Sequence, residues 1–245
     1  MEYVTLQRLV TKLRRRSTID LASENSLLNL PFTLKKLSRS DYLFRSGETI
    51  SVTYVLLSGF TFRQKVAGDG GRQIVAIQVP GDIVNIQSLQ LNMYDHSVQA
   101  LSDATIAVIP TSALLVLAQS HDEIMFALWL DTFVDASIAW EWITNIGRRN
   151  ARIRLAHLLC EITLRVEMAG FHTGATHKLA MTSEDIGDAL GLTPVHVTRV
   201  IKELMRVGLI LRERRSISIL DINGLRTLAD FNQAYLHLQN INHRI

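Results

Sequence analysis

The stretch from Thr182 to Lys202 constrains this chain more than any other, because nearly every residue in it has its own structural reason to be there. Thr182 with Asp185 three residues on has the spacing of a capping box, Asp standing in for the usual Glu or Gln, and predicts a helix start. Ile186 and Leu190, four apart, give that short helix one buried stripe. Gly191 predicts its end, since a left-handed backbone costs glycine little. Thr193 then caps a second helix, and Pro194 takes its first position, where a missing N–H is harmless. Val197, Val200, Ile201 and Leu204 line the inner face of that helix, and Gly187 lets a second helix cross closely. The pattern predicts a helix-turn-helix whose second helix is shaped for a DNA major groove. An ordinary helical hairpin has no need of these caps and glycines together.

Charge is distributed to match. From Gly147 onward there are 14 Lys/Arg against 9 Asp/Glu, whereas Met1 to Ile146 holds 12 against 14. A basic C-terminal part beside a mildly acidic N-terminal part fits a nucleic-acid-binding module joined to something that binds other things. At 245 residues the chain has room for one large domain or two modest ones. A single cysteine, Cys160, excludes an intramolecular disulfide framework and a cluster held by several cysteines of one chain, and suits a reducing compartment. No apolar run approaches the ~20 residues of a membrane span, and the first residues lack the order of a secretory signal. The expectation is a cytoplasmic protein with no membrane partner.

Residues 3–28 read as one or two helices, Leu6, Leu9, Val10 and Leu13 forming one stripe; the basic cluster Lys12, Arg14, Arg15 and Arg16 reads as a solvated helix face. From Pro31 to about Pro110 the period switches to two. The runs Phe32–Lys36, Tyr42–Phe44, Thr53–Leu57, Phe60–Val66, Gln73–Val79, Ser97–Leu101 and Thr105–Val108 are separated by turn residues, which predicts an antiparallel barrel or sandwich. From His121 to Ile146 there is neither Gly nor Pro, and apolar residues occupy nearly every face. Such a helix must be covered on most sides, on one by the β region and on the other most simply by the same helix of a second subunit. Gly147 with Arg148-Arg149-Asn150 reads as a hinge, Ala151–Glu167 as an amphipathic helix. Gly208 to Leu220 reads as two strands around a charged tip, a β-wing, and Asp221 to about Gln239 as a final helix.

This order resembles the Crp/Fnr family of bacterial transcription regulators over nearly the whole chain. Gly47-Glu48-Thr49, Tyr54 to Gly59, Gly71 and Pro80-Gly81-Asp82-Ile83-Val84 are similar to the family's barrel turns. Gly191 to Arg199 resembles its recognition-helix region, and Gly208-Leu209-Ile210 its entry to the wing. The resemblance implies an α+β architecture: an N-terminal antiparallel β-barrel (a double-stranded β-helix, or cupin-like jelly roll) with flanking helices, a long dimerisation helix and a C-terminal winged helix-turn-helix. It divides the chain into a cyclic-nucleotide-binding-like sensor (residues 1–120), a dimerisation helix (121–147) and a DNA-binding domain (148–245). It implies double-stranded DNA, a second copy through the 121–147 helix, and RNA polymerase as partners.

The departures concern the sensor. Nucleotide-binding members carry Gly-Glu-Leu after the Gly-Asp turn and Arg-Ser-Ala later, for ribose and cyclic phosphate. Here those positions read Asn85-Ile86-Gln87 and His96-Ser97-Val98, and a phosphate without its arginine loses a charge-assisted partner. On the long helix, Ala139 and Trp140 match the positions that face the purine, and a Trp there would fill the pocket. Asn85, Ile86, Gln87, His96, Ser97, Ala139 and Trp140 are thus the pocket candidates, and they argue against cyclic AMP. The oxygen-sensing branch's cysteine quartet is absent. A haem-binding member would have His96 or His121 to offer, although a lone histidine is far more often a hydrogen-bonded or surface residue. No cofactor is expected.

For DNA, the outward positions of the second helix are Pro194, Val195, Thr198 and Arg199, with Lys202 a turn later. Arg199 can bond guanine O6 and N7. Val195 stands where the well-known branches place a glutamate, and its methyls suit a thymine methyl. Thr182, Ser183, Thr193, His196 and Lys202 suit phosphate contact, and Arg214 and Arg215 reach the backbone from the wing tip. Arg148, Arg149, Arg152 and Arg154 read equally as solvated or paired. An enzyme finds no support: His121 to Met125 lacks a second histidine at zinc-protease spacing, and no nucleophile elbow or phosphate loop occurs. His157, Cys160 and Glu161 share a helix face, but packing suits that apolar helix better than a metal, which needs four ligands in a closed site. A protein-interaction module without DNA binding remains the other class. Within the family, an effector-gated regulator and one with a plugged pocket stay open.

Overall fold

The computed structural model describes residues 5–49, 51–170 and 179–238. Two short helices, α1 (Gln7–Arg14) and α2 (Leu21–Leu28), precede seven strands: β1 (Thr33–Leu37), β2 (Tyr42–Phe44), β3 (Val52–Ser58), β4 (Thr61–Val66), β5 (Arg72–Gln78), β6 (Ser97–Ala100) and β7 (Ala104–Pro110). Each falls on one of the period-two runs, with ends moved by one or two residues. They pair antiparallel in two sheets, ordered β1-β7-β3 and β2-β6-β4-β5, and neither sheet closes on itself. The sandwich expectation is therefore met by two open sheets, and no closed barrel forms among the described residues. Leu37, Leu43, Phe44, Leu56, Val98 and Ile106 fill the space between the sheets.

α1 lays Leu6, Leu9, Val10 and Leu13 against Val55, Ile83 and Ile109 of the first sheet. Of the basic cluster, Arg14 and Arg15 are exposed as a solvated face would have them, but the other two are not. Lys12 and Arg16 are buried, Lys12 Nζ lying 2.7 Å from Asp131 and 2.9 Å from Asp82, and Arg16 Nη1 2.5 Å from Asp131. Asp82 sits in the turn after β5, and its other oxygen meets Arg165 at 2.8 Å. Burial alone would raise the Asp82 carboxyl, yet Lys12 and Arg165 bring it down to about 2. Four segments distant in sequence are thus joined by one buried ion network.

After β7 come α3 (Thr111–Ser120) and α4 (Asp122–Arg148). α4 buries Ile124, Leu128, Val134, Ile138 and Trp142 against the rest of the molecule. Its opposite face leaves Phe126, Trp129, Phe133, Trp140 and Ile143 exposed, at 46–69% of their surface. With Ala136 these residues alternate three and four apart, the seam of a coiled coil. Within the stretch read as a hinge, Gly147 lies in the last turn of α4, and the chain breaks two residues on, at Arg149 and Asn150, whose backbones are extended. Asn150 caps α5 (Ala151–Met168) by accepting from the Ile153 N–H at 3.1 Å.

The C-terminal head comprises α5, β8 (Leu179–Ala180), α6 (Ser183–Leu190), α7 (Pro194–Arg206), β9 (Ile210–Glu213), β10 (Ser216–Ile219) and α8 (Ile222–Ala229). The wing is a three-stranded sheet, β8-β10-β9, because β8 adds to the two strands legible in sequence. The final helix is shorter than expected: Asp230 turns left-handed (φ 47°) and stops it, and Gln239 lies outside the described residues. The apolar core runs without a break from Phe62, Ile74 and Ile77 of the second sheet through Val134 and Ile138 to Leu155, Ile186 and Val200 of the head. Among the described residues no single helix is long and apolar enough to cross a membrane.

Candidate nucleic-acid interface

Local chemistry builds the helix-turn-helix as its caps demand. Thr182 Oγ1 accepts from the Asp185 N–H at 3.0 Å, and the Asp185 carboxylate accepts from the Thr182 N–H at 2.9 Å, a complete capping box. Gly191 is left-handed (φ +64°) and closes α6. Gly187 serves a close approach of another kind than two crossing helices: a Cβ there would lie 2.4 Å from the Leu192 carbonyl oxygen of the turn. Thr193 accepts from the His196 N–H at 3.3 Å and starts α7, with Pro194 first. Inside, Val197, Val200, Ile201 and Leu204 are buried.

Outside, Thr193, Pro194, Val195, Thr198, Arg199 and Lys202 are exposed, His196 is half-buried, and Val195 keeps 81% of its surface open. The Thr198 hydroxyl is already engaged, donating to the Pro194 carbonyl at 2.8 Å and standing 3.2 Å from Ser183 Oγ. That leaves Arg199 and Val195 as the free side chains at the start of the helix. Thr182 and Ser183, at the N-terminus of α6, are half-buried beside it. At the wing tip Arg214 is left-handed (φ 54°), its carbonyl accepting from Arg212 Nε at 3.2 Å, and Arg214 and Arg215 both face solvent. Of the hinge-side arginines, Arg149 pairs with Glu141 at 2.6 Å, and Arg154 donates to the Leu190 carbonyl at 2.9 Å, a cation at the C-terminus of α6.

The sensor's pocket candidates are not gathered around one cavity. Asn85 is buried, accepting from the Tyr54 N–H at 2.7 Å and donating to the Val52 carbonyl at 2.9 Å and to the Tyr94 hydroxyl. Phe44 stacks on Tyr94 with ring centres 4.3 Å apart, and His96 stands edge-on to both. His96 bonds Asp95 through Nδ1 at 2.8 Å, and burial holds its pKa below the ordinary value. Ser97 Oγ accepts from the Ser46 N–H at 3.0 Å. Ala139 lines a cavity of about 50 Å³ with Arg63, Asp82, Asp135 and Arg165. Trp140 lies on the exposed stripe of α4, 66% open, and fills no cavity of its own chain among the described residues. Aromatic rings and Asn85, rather than Trp140, fill this part of the sensor. Ile86 and Gln87 instead face an apolar groove of about 470 Å³ between a short turn of helix (Ile86–Leu89), α3 and α4.

In the head, Glu161 accepts from Trp142 Nε1 (3.1 Å), Tyr235 (3.0 Å) and Arg165 (3.2 Å), and His157 packs on Phe231 and Tyr235. Burial pushes the Cys160 thiol up to about 12, so it is protonated at neutral pH and a poor nucleophile. Among the described residues no group of three or more His, Cys, Asp or Glu is placed to hold a metal ion.

An exposed recognition helix capped at its N-terminus and flanked by a basic wing, carried on a double-sheet domain, defines a winged-helix DNA-binding regulator. Residues 34–121 match the family model of the cyclic nucleotide-binding domain, and residues 153–228 that of the Crp-like helix-turn-helix domain. The nitrogen fixation regulation protein FixK of Azorhizobium caulinodans is 32% identical over 78% of this chain and 77% of its own length. The anaerobic regulatory protein of Haemophilus influenzae is 27% identical, covering 87% and 88%. The solved structure of FixK2 from Bradyrhizobium japonicum superposes with a TM-score of 0.71 at 25% identity, over 81% of this chain and 98% of that one. The chain belongs to the Crp/Fnr family of transcription regulators and binds DNA through its helix-turn-helix; it is a regulator, not an enzyme.

Proposed function

We propose that the protein acts as a homodimer, joined along α4, on a two-fold-symmetric DNA site, and that it binds without a cyclic nucleotide. The unpartnered stripe Phe126, Trp129, Phe133, Trp140 and Ile143 carries this reading. Fully burying side chains of this size is worth ~1.5–3 kcal/mol each, which a monomer forgoes. In this arrangement residues 1–120 serve as sensor, 121–147 as dimerisation helix and 148–245 as DNA head. Arg199 reads a guanine and Val195 a thymine methyl. Thr182, Ser183, Thr193, His196 and Lys202 hold phosphates near the helix ends, and Arg214 and Arg215 hold them from the wing; Pro194 and Thr198 shape the helix start. The setting is the bacterial cytoplasm, with RNA polymerase as the partner at the promoter.

A packed aromatic cluster where the family binds cyclic phosphate supports independence from cyclic nucleotides. An uncharged, apolar effector is the second reading, supported by the groove beside Ile86 and Gln87, where Gln87 Oε1 is buried without a hydrogen-bond partner. The test is Trp140→Asp in sedimentation velocity and DNA binding. The expected result is a monomer at micromolar concentration that binds a single half-site normally and has lost the advantage of a palindrome. A dimer of unchanged strength would refute the α4 interface.

A further inference from the structure

Sensor and head are fastened by a set of polar contacts, some of which share the Asp185 carboxylate with the capping box of α6. On the sensor side stand Arg39, just after β1, and Arg72 and Gln73, which open β5. On the head side stand Asp185 and Asp188, three apart on α6. Arg72 Nε donates to Asp188 Oδ2 at 2.6 Å and its Nη2 to Asp185 Oδ1 at 3.2 Å. Arg39 Nη2 donates to the other Asp185 oxygen at 2.6 Å, and its Nη1 to the Ala180 carbonyl at 2.9 Å and to that of Leu101. Gln73 Nε2 reaches the Asp188 carbonyl at 2.6 Å. The Arg72 guanidinium also lies 5.3 Å from the centre of the Phe62 ring, so its own plane is supported.

Two planar forks on neighbouring carboxylates fix direction as well as distance, which a single lysine–carboxylate pair does not. The object they fix is the helix that seats the recognition helix, since α6 meets α7 through Ser183 and Thr198 and through the Gly187–Leu192 turn. A second tie, Arg165 to Asp82, lies elsewhere on the head, at α5. Beside the continuous apolar core, two polar ties at separate places restrain rotation of the head more than one would.

We propose that Arg39, Arg72 and Gln73 are positioning residues for DNA binding: by holding α6 at a set attitude to the sensor, they set the half-site spacing that the dimer accepts. The inference rests on the dimeric reading above. Two heads held rigidly meet half-sites at one separation, about 34–36 Å or a multiple of it. Heads that swivel meet several, each at a lower effective concentration.

The experiment uses the full chain and a series of palindromes whose central spacer changes one base pair at a time, beside a single half-site. Wild type should prefer one spacing sharply. Arg72→Asp and Asp188→Arg should each bind the best palindrome about tenfold more weakly, with a flattened spacing profile and half-site affinity within twofold of wild type. The double variant Arg72→Asp/Asp188→Arg, which restores the pair with its charges exchanged, should recover both affinity and profile. Unchanged half-site binding establishes that the head is folded in each variant. Single variants with the wild-type spacing profile, or a double variant that recovers neither property, would overturn the assignment. A wild-type protein indifferent to palindromes would overturn the dimeric reading and this inference with it, and that failure is separate because it is seen before any substitution.

Discussion

In the head, the polar groups proposed to meet DNA point outward; in the sensor, the polar groups at the positions that resemble the family's nucleotide pocket point inward and are bonded. Arg199, Lys202, Arg214 and Arg215 face solvent, while Asn85 ties the Tyr54 and Val52 backbone and His96 lies against Phe44 and Tyr94. Both regions keep the family's fold. The difference teaches that strand packing and site chemistry are separable: a concave site can be filled by rings that add core stability, whereas a convex recognition face cannot be filled without leaving the protein unable to touch its groove.

The sharpest way to stress this contrast is through the sensor's buried charges. Asp131→Ala would leave Arg16 buried without its counter-ion and Lys12 with Asp82 alone, and should cost about 3–5 kcal/mol in denaturant unfolding. A loss under 1 kcal/mol would mean that the network is solvated. The same network has a pH signature. Because the Asp82 carboxyl is held at about 2 against an ordinary 3.8, its contribution is complete above the ordinary value and is lost as pH falls through the lower one. The stability gap between wild type and Asp82→Asn should therefore be full at neutral pH, including about 2 kcal/mol from this linkage, and shrink as the solution approaches pH 2.

Two glycines give the next largest contrast. Gly187→Ala drives a methyl into the Leu192 carbonyl and should destabilise by about 2–3 kcal/mol. Gly147→Ala, with nothing within 4 Å and a helical backbone around it, should instead stabilise by about 0.5–1 kcal/mol and leave DNA binding intact. Loss of regulation in Gly147→Ala would place the hinge at Gly147 itself.

On the DNA face the effects are smaller and separable. Arg199→Ala should lose about 1–3 kcal/mol of discrimination at one base pair while non-specific binding holds. Arg215→Ala should weaken all sequences alike and reduce the salt slope by about one unit, as for one lost phosphate contact. Equal losses on specific and non-specific DNA in the first variant, or an unchanged slope in the second, would reassign those residues. The smallest effect belongs to the sensor again: cyclic AMP at millimolar concentration should leave the melting temperature unmoved, and a rise of several degrees would show that the aromatic cluster opens.

The head was legible because its determinants are local. Caps, Pro194, Gly191 and the inner stripe of α7 all lie within a span of ~20 residues, and each predicts its neighbour's conformation. The strands were legible from their period, but the sheet order was not, since β1 pairs with β7 and β2 with β6 across the length of the sensor. The burial of Lys12 and Arg16 escaped for the same reason: their partner, Asp131, is more than 110 residues away, and a basic run on a helix ordinarily faces water. The outward placement of Trp140 was not legible because it depends on the rotational phase of α4 against the sheets, which periodicity cannot supply when most faces are apolar. The break between α4 and α5 falls two residues past Gly147 because a helix interior tolerates one glycine at a cost of ~1 kcal/mol. The Arg39 and Arg72 contacts with α6 carry no sequence signal.

The most direct measurement is selection of binding sites from randomised duplex DNA by the purified full-length protein, with no effector present. The account predicts enrichment of a palindrome with one fixed half-site spacing and a guanine placed for Arg199. Enrichment of nothing beyond salt-sensitive, sequence-blind binding would contradict it, and would mean that the heads are held wrongly until something occupies the sensor.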